Sequence, residues 1–209
     1  MGYGYGSRSL FRPWYVTPVL MPVSPGMAPQ PAPSSITGRV NGEFMFFVAN
    51  QNHGFAINAN AAVEGDIFGV NLSGQNIQVK ADDGSDATDS LTQLNAHFTV
   101  AVLSGELGRL RLEAGGDVIF APSIITAGLS FGASGIIGIY GPMAFEGSFY
   151  ATVYPFTQLD GRAALVFGSG PLGLKVGWRT QLLDDRGLAD GVPHRDIFMG
   201  PYAALGLAF

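Results

Sequence analysis

The sequence predicts an all-β fold, a closed antiparallel up-and-down transmembrane β-barrel of about ten strands that follows an extended N-terminal tail. Two observations predict it. Apolar and polar residues alternate with a period of two in successive segments, and charged residues make up only 13% of the 209 residues. Because successive side chains of a strand point to opposite faces, each such segment has one apolar face and one polar face. A chain with so little charge has few residues with which to cover a water-facing surface.

The first 35 residues differ from the rest, since they contain seven of the 13 prolines and no acidic residue. Proline removes backbone donors and clashes with the preceding turn of a helix, so residues 1–35 are predicted to be an extended, polyproline-like tail. The prolines also interrupt the apolar run of an export signal, and we expect the sequence to be that of a mature chain or to have a displaced start. One hypothesis is that the aromatic residues of this tail bind the periplasmic mouth of the barrel or a protein partner; the alternative is an unattached overhang. These residues are Tyr3, Tyr5, Phe11, Trp14 and Tyr15.

Residues 36–209 form the predicted barrel, and residues 107–120 give its clearest strand. Leu110 and Leu112 share one parity there, whereas Arg109, Arg111 and Glu113 share the other. At helical spacing the same residues would be mixed around the circumference, so this segment is predicted to be a strand. The same separation recurs along the chain and predicts ten strands, at residues 36–49, 55–67, 67–80, 94–102, 107–120, 124–137, 145–153, 161–168, 172–182 and 197–209.

The strand at 67–80 has the weakest alternation. A membrane barrel with both termini on one side needs an even number of strands, so either this strand is real and there are ten, or the barrel has eight. Ten strands would place the two long acidic connections together on the side opposite the termini. One connection contains Asp82, Asp83, Asp86 and Asp89, and the other contains Asp184, Asp185 and Asp190.

The position of the apolar faces decides between two kinds of barrel. A soluble barrel would turn them inward, around a hydrophobic ligand, and would cover its outside with Lys and Glu. Several strands here carry one charge or none, which favours a membrane barrel with an apolar band toward lipid and a polar interior. A single transmembrane helix over residues 118–145 is a further alternative, because this stretch contains no charged residue. Its glycines, its prolines and its alternation favour strands instead.

The last segment carries the most specific signal. Apolar residues occupy alternate positions up to the terminal aromatic residue, with Ala203, Leu205, Leu207 and Phe209 at its end. This resembles the final strand of the small Gram-negative outer-membrane β-barrel proteins typified by OmpA, OmpX and OmpW. The resemblance covers the chain from residue 36 onward and departs from the pattern at Leu207, where tyrosine is frequent, and at Pro201. It implies insertion by the outer-membrane assembly machinery, which reads the terminal strand, and location in the cell outer membrane.

Twelve charged residues lie on the polar parity of the predicted strands and are expected to form a network in the lumen. Six are basic and six acidic, so interleaved opposite charges would stabilise the interior; the alternative is a polar pore for small solutes. The predicted network comprises Arg39, Glu43, Glu64, Asp66, Arg109, Arg111, Glu113, Asp117, Glu146, Arg162, Lys175 and Arg179.

Three further patterns suggest chemistry less strongly. Asp82, Asp83, His194 and Asp196 could activate water as in outer-membrane proteases, but nothing in their spacing requires them to meet. Asp82, Asp83, Asp86 and Asp89 crowd carboxylates around Gly84, yet they lack the spacing of a calcium loop. His97 is interpreted as a hydrogen-bonded lumen histidine rather than a metal ligand.

The sequence therefore predicts a non-enzymatic outer-membrane protein with a structural, surface-interaction or assembly-partner role and a largely side-chain-filled lumen. A narrow passive channel and a soluble ligand-binding barrel are the alternatives. No metal or other cofactor is expected, and the lipid bilayer and lipopolysaccharide are the expected partners. Nucleic acid is not, because the net charge is −5 and only 11 residues are Lys or Arg.

Overall fold

The computed structural model describes residues 36–49, 52–80, 88–105, 108–122 and 124–209, apart from the side chains of residues 52 and 169. The predicted tail lies outside the described residues. Ten strands form in chain order: β1 (Thr37–Ala49), β2 (Asn52–Glu64), β3 (Phe68–Lys80), β4 (Thr88–Gly105), β5 (Gly108–Ala121), β6 (Ile124–Tyr140), β7 (Met143–Tyr154), β8 (Thr157–Ser169), β9 (Leu172–Asp184) and β10 (Arg195–Ala208). All ten predicted strands are confirmed, including the weak one at 67–80, and the eight-strand alternative is wrong.

Each strand pairs antiparallel with its neighbours in sequence, and β1 pairs with β10 to close the sheet into a barrel. The predicted fold class is therefore confirmed, and closure leaves no unpaired sheet edge. The described part of the chain contains no helix of the length and apolar character needed to cross a membrane. The helical interpretation of residues 118–145 is wrong, because β5, β6 and the start of β7 occupy them.

The barrel has two ends, which we call the terminal end and the loop end. Residues 36 and 209 lie at the terminal end, together with the connections at 65–67, 141–142 and 170–171, the end of β4 at Gly105 and the start of β5 at Gly108. The loop end contains the connections at 155–156 and 185–194 and the strand ends at Ala49, Asn52, Lys80, Thr88, Ala121 and Ile124. An even strand number thus brings the strand ends that border the two predicted acidic connections to one end, opposite the described terminus.

Two strands begin at least four residues earlier than the alternation predicts. β4 starts at Thr88 rather than at residue 94, and β8 starts at Thr157 rather than at residue 161. At the start of β4 the outward positions are polar, as at Ser90 and Thr92, so the two faces do not differ in polarity. β3 continues to Lys80, which lies opposite Thr88, and its backbone pairing extends β4 through residues whose side chains show no alternation.

The apolar parity faces outward. Leu112 and Phe98 are each 52% exposed, whereas Arg111 and Arg179, on the opposite parity, are 2% and 1% exposed. This is the reverse of a water-soluble barrel, in which apolar side chains fill the interior. The alternative of a soluble barrel with an apolar interior is therefore wrong.

The interior itself is not polar throughout. Along β1 the inward positions begin with Arg39 and Glu43 and continue with Met45 and Phe47, both of which are buried. Toward the loop end these side chains join inward residues of other strands in an apolar cluster, which we call the apolar plug. Its large members are Met45, Phe47, Ile77, Ile119, Phe156, Leu183, Phe198 and Tyr202.

Candidate functional site in the lumen

Eleven of the twelve charged side chains predicted to face the lumen do so, because side chains alternate between the two faces of each strand. Asp66 is the exception. β2 ends at Glu64, so the chain turns through residues 65–67 and the period of two no longer applies there. Asp66 consequently lies exposed in the turn at the terminal end, and its predicted lumen position is wrong. A sixth lumen acid, Asp160 of β8, takes its place. It was missed because the predicted strand began one residue later.

Glu64 is shared by three arginines near the terminal end. Arg39 of β1 forms an ion pair with it, Arg109 Nη1 donates to its Oε2 at 2.8 Å, and Arg111 Nε lies 3.5 Å from the same oxygen. Arg111 also donates from Nη2 to the carbonyl of Gly65 at 2.6 Å. One carboxylate thus links β1, β2 and β5 and is surrounded by more positive charge than it can balance.

A second ionic group is centred on Asp160 and joins β8, β9 and β1. Arg179 donates to both of its carboxylate oxygens, from Nε at 3.0 Å and from Nη2 at 2.7 Å, and Arg162 Nη2 donates at 3.0 Å. Glu43 of β1 pairs with the same two arginines, at 3.4 Å for Arg162 and 3.3 Å for Arg179. Two acids and two bases therefore balance here, with the fork-like geometry that makes Arg–carboxylate pairs strong.

Lys175 and Glu146 form a third pair. The Nζ atom of Lys175 donates to both Glu146 oxygens, at 2.6 and 2.8 Å. These residues lie on β9 and β7, so the pair reaches over β8 rather than joining adjacent strands.

Glu113 differs from Glu43, Glu64, Glu146 and Asp160 because the hydrogen bonds it accepts come from neutral groups. Asn71 Nδ2 and the Tyr150 hydroxyl donate to it at 3.2 Å each, and Ser134 donates as well. His97 Nδ1 lies 4.0 Å from its Oε2. The buried His97 ring stacks on Tyr150, with centroids 5.2 Å apart and planes 6° apart.

Four glutamines extend across the lumen between the ionic residues and the apolar plug, and we call them the glutamine ladder. Arg179 Nη2 donates to Gln75 at 2.5 Å, Gln75 donates to Gln181 at 3.4 Å, Gln181 donates to Gln93 at 3.0 Å, and Gln93 donates to Gln158 at 2.8 Å. Because β3 and β4 lie opposite β8 and β9 in the strand order, this chain of hydrogen bonds spans the barrel. Single-residue patterns gave no signal for it, since each glutamine is an ordinary inward polar residue.

A cavity of about 110 Å³, which we call the polar chamber, lies among the ionic groups. Its wall includes Arg39, Asn41, Glu43, Glu64, His97, Arg109, Arg111, Glu113, Glu146, Tyr150, Arg162 and Lys175. The remaining predicted lumen acid, Asp117, is 2% exposed and accepts a hydrogen bond from Thr152.

Of the residues of the hypothetical protease site, only His194 and Asp196 belong to the part of the chain that the structure describes. Asp82 and Asp83 lie outside the described residues, as do Gly84 and Asp86 of the hypothetical calcium loop, whereas Asp89 is an exposed residue of β4. His194 lies in the β9–β10 loop, with Nδ1 at 3.5 Å from Asp185 and 3.8 Å from Asp190. Among the residues that the structure describes, no cluster of three or more His, Cys, Asp or Glu side chains could hold a metal ion.

Asp185 organises the β9–β10 loop. Its Oδ1 accepts the backbone N–H of Gly187 at 2.9 Å and that of His194 at 2.7 Å. Partial burial by itself raises the pKa of Asp185, but these two N–H groups and the His194 side chain outweigh it, so the net pKa lies below its ordinary value. The loop is thus tied at both ends to one carboxylate.

The predicted assembly-signal residues occupy the outer face of β10. Leu205 is 68% exposed, Leu207 50% and Phe209 77%, and Ala203 shares their face. They lie beside β1, whose first described residues follow the tail.

No family model and no curated protein matches this sequence. Among solved structures, the chain is similar to the outer membrane protease OmpT from Escherichia coli, at 10% identity and a TM-score of 0.48, over 85% of this chain and 97% of that one. It is also similar to Neisserial surface protein A, at 9% identity and a TM-score of 0.44, over 84% and 99%. For the Yersinia pestis outer membrane protein Ail in a phospholipid bilayer nanodisc, the identity is 13% and the TM-score 0.41, over 83% and 99%.

Proposed function

We propose that this chain is an integral outer-membrane β-barrel protein whose lumen is closed by its own side chains. It acts through its surface, in a structural, surface-interaction or assembly-partner role, rather than by catalysis or conduction. The observation that carries the proposal is the inverted distribution of polarity in a closed barrel, with Leu112 and Phe98 exposed and Arg111 and Arg179 buried. Only a hydrocarbon surrounding stabilises such an exterior, and closure satisfies the backbone in it.

The ends of the barrel support the same location. Tyr140, beside the terminal-end connection at 141–142, is 82% exposed, and Tyr154, beside the loop-end connection at 155–156, is 72% exposed. Tyrosine is enriched where a membrane meets water, because the ring prefers the apolar side and the hydroxyl the aqueous side. One exposed tyrosine at each end is therefore consistent with a spanning barrel.

Closure of the lumen is supported by two successive layers. The glutamine ladder crosses the barrel with Gln93 and Gln181 each 1% exposed, and the apolar plug follows toward the loop end. A hydrated ion would have to break the ladder and then pass a region without polar partners, which is costly. The polar chamber would then be a dead end rather than half of a passage.

Conductance in planar bilayers tests this proposal. We expect no stepwise current from the wild-type protein and clear steps from a variant that opens both layers, Phe47→Ala, Phe198→Ala, Gln93→Ala and Gln181→Ala. Phe44→Ala and Phe46→Ala, which shorten outward side chains of β1, provide the matched control and should produce no stepwise current. Steady wild-type currents would instead favour the narrow passive channel.

Membrane location is tested separately. The protein should fractionate with outer membranes and migrate faster on a denaturing gel when it is not boiled, as a closed barrel does. Its proposed partners there are the lipid bilayer and lipopolysaccharide, and the assembly machinery that would read Phe209 with Leu205 and Leu207. A protein partner for residues 1–35 stays a prediction, because that segment lies outside the described residues.

A further inference from the structure

Four polar side chains interrupt the apolar outer face of the barrel in its loop-end half. They lie at even positions of β3 and β4, on the same face as Leu72, which is 51% exposed, whereas the odd positions Gln75 and Ile77 point into the lumen and are buried. We call these four side chains the outer polar patch: Asn76 and Gln78 of β3, and Ser90 and Thr92 of β4. The outer face thus changes from apolar to polar along these two strands.

The strands on either side of the patch stay apolar. Asn76 is paired across the sheet with Ile57 of β2, which is 54% exposed, and Thr92 is paired with Phe120 of β5, which is 39% exposed. In a barrel that spans the membrane, lipid therefore contacts both sides of the outer polar patch. Hydrocarbon offers polar side chains no hydrogen-bond partner, so such a patch favours contact with another polar surface.

The patch has hydrogen-bonding capacity beyond its own internal bonds. Asn76 Nδ2 donates to Thr92 Oγ1 at 3.0 Å, and Gln78 Nε2 donates to Asn76 Oδ1 at 3.2 Å. A side-chain amide has two N–H donors and a carbonyl oxygen that accepts twice, so each bond leaves one N–H of its donor amide for another partner. Ser90 is exposed and adds a hydroxyl group that both donates and accepts. A surface that carries donors and acceptors in the same few side chains is able to pair with a copy of itself.

The apolar surface beside the patch is level. Ala59 and Ala61 are small exposed residues of β2, and Gly74 of β3 is the cross-strand partner of Ala59. The side chain of Leu94 fills the space over Gly74, since a Cβ atom there would lie 3.2 Å from Leu94 Cδ2. Small residues let packed elements of membrane proteins approach closely, and close approach brings polar groups within hydrogen-bonding distance.

We propose that the outer polar patch is the centre of a contact between two copies of this chain, related by a two-fold axis along the membrane normal. Such an axis brings each patch to the same depth as its copy, so that Asn76 and Gln78 of one chain meet the patch of the other. The patch itself is uncharged, with Lys80 as the next outward residue of β3, whereas lipid phosphate groups are bound by clusters of Lys and Arg. A second copy therefore fits it better than a lipid headgroup. This contact depends on the proposed membrane location, because in water the patch would need no protein partner.

Cysteine cross-linking tests the contact, because the chain has no native cysteine. Ser90→Cys places a thiol in the patch, and Thr180→Cys places one on the outer face of β9, across the barrel. The full-length protein is folded into phosphatidylcholine vesicles at rising lipid-to-protein ratios and oxidised with copper phenanthroline. We expect most of Ser90→Cys to become a disulfide-linked dimer at every ratio and Thr180→Cys to stay monomeric. Equal cross-linking of the two variants, or a Ser90→Cys yield that falls in proportion to dilution, would overturn the proposal.

Two further variants separate the patch from the fold. Asn76→Leu combined with Gln78→Leu makes β3 as apolar as its neighbours and should raise the dissociation constant of the dimer at least tenfold, measured by energy transfer between labelled copies in vesicles. Leucine suits a lipid-facing position, so the faster migration of the unboiled protein should persist. Thr180→Leu is the control and should keep the wild-type dissociation constant, and an unchanged constant in the double variant would contradict the contact.

The outcome for the wild type distinguishes this contact from the proposed function. A protein that is folded in vesicles, as judged by its migration without boiling, but is monomeric overturns the contact and leaves the membrane location standing. A chain that does not insert into vesicles overturns both.

Discussion

The aromatic ring of Phe209 lies against Gly38, on the outer face of the seam where the first and last strands meet. A Cβ atom on Gly38 would be 2.5 Å from Cε2 of that ring and 2.8 Å from Cζ. The two residues also exchange backbone hydrogen bonds, at 2.8 Å from Gly38 N and at 3.0 Å from Phe209 N. The last side chain of the barrel thus fits against the first strand only because no side chain is present at Gly38.

Gly38→Ala should therefore weaken the seam. The ring must swing away from the added methyl group, and we expect a loss of about 1 kcal/mol in the free energy of unfolding. The midpoint of urea unfolding from lipid vesicles measures it. Gly42→Ala is the control, since Gly42 shares the strand and the face but a Cβ there meets nothing within 4 Å. Equal effects of the two substitutions would show that the Phe209 contact has no bearing on stability.

Asp160→Asn should be far more damaging than the loss of an exposed acid. It leaves Arg162 and Arg179 with one carboxylate, Glu43, between them, and removing one partner of a buried ion pair costs about 3–5 kcal/mol. Asp184→Asn breaks the pair with Arg195, whose side chain is 65% exposed, and should destabilise the protein much less, because exposed ion pairs contribute little to stability. Urea unfolding of both variants provides the comparison, and similar midpoints would contradict a stabilising role for the lumen network.

The alternation of side chains predicted the ten strands and the direction of the apolar faces because both depend on a local period of two. It was least informative where the two faces have similar polarity, which is why the start of β4 at Thr88 was missed. It failed at Asp66 for the opposite reason. The alternation looked continuous there, although the backbone had already turned after Glu64.

The partners within the lumen could not be predicted in the same way. Residues 75 and 181 form a hydrogen bond although 106 positions separate them, and that contact depends on closure and shear of the barrel rather than on spacing along the chain. The apolar plug was missed because Met45 and Phe47 lie on the same face of β1 as Glu43. The prediction assumed that all the positions on one face of a strand are either polar or apolar. Nothing local distinguishes an inward apolar residue from an outward one.

Gly115→Ala tests how the His97 ring is held. A Cβ on Gly115 would lie 2.7 Å from both Cα and Cδ2 of His97 and would also collide with the carbonyl of Ala96. Because backbone atoms are involved, relaxation is limited and we expect a loss of about 1–3 kcal/mol. Gly105→Ala, where a Cβ meets nothing within 4 Å, is the control. The His97 ring resonances should shift in Gly115→Ala only, and unchanged resonances would contradict the predicted contact.

Acid should loosen the β9–β10 loop through Asp185. Because folding lowers the pKa of this carboxyl, its stabilising effect is present above the ordinary pKa and is lost as pH falls through the lowered one, below about pH 4. The amide proton shifts of Gly187 and His194 should follow this titration. In Asp185→Asn the amide oxygen still accepts both hydrogen bonds but does not titrate, so the acid step should disappear. An acid step that persists in this variant would assign it to another group.

The outward apolar face gives the most direct test of the lipid environment. Leu112 lies in the body of β5, between the inward Arg111 and Glu113, so Leu112→Arg places a charge in hydrocarbon if lipid surrounds the barrel. The expected cost is about 2–4 kcal/mol, compared with about 1 kcal/mol or less for Tyr140→Arg at the terminal end, because the penalty falls toward the interface. Unfolding from vesicles gives both values. Small and equal costs would mean that water, not lipid, contacts this face, since water accepts an arginine at either position equally well.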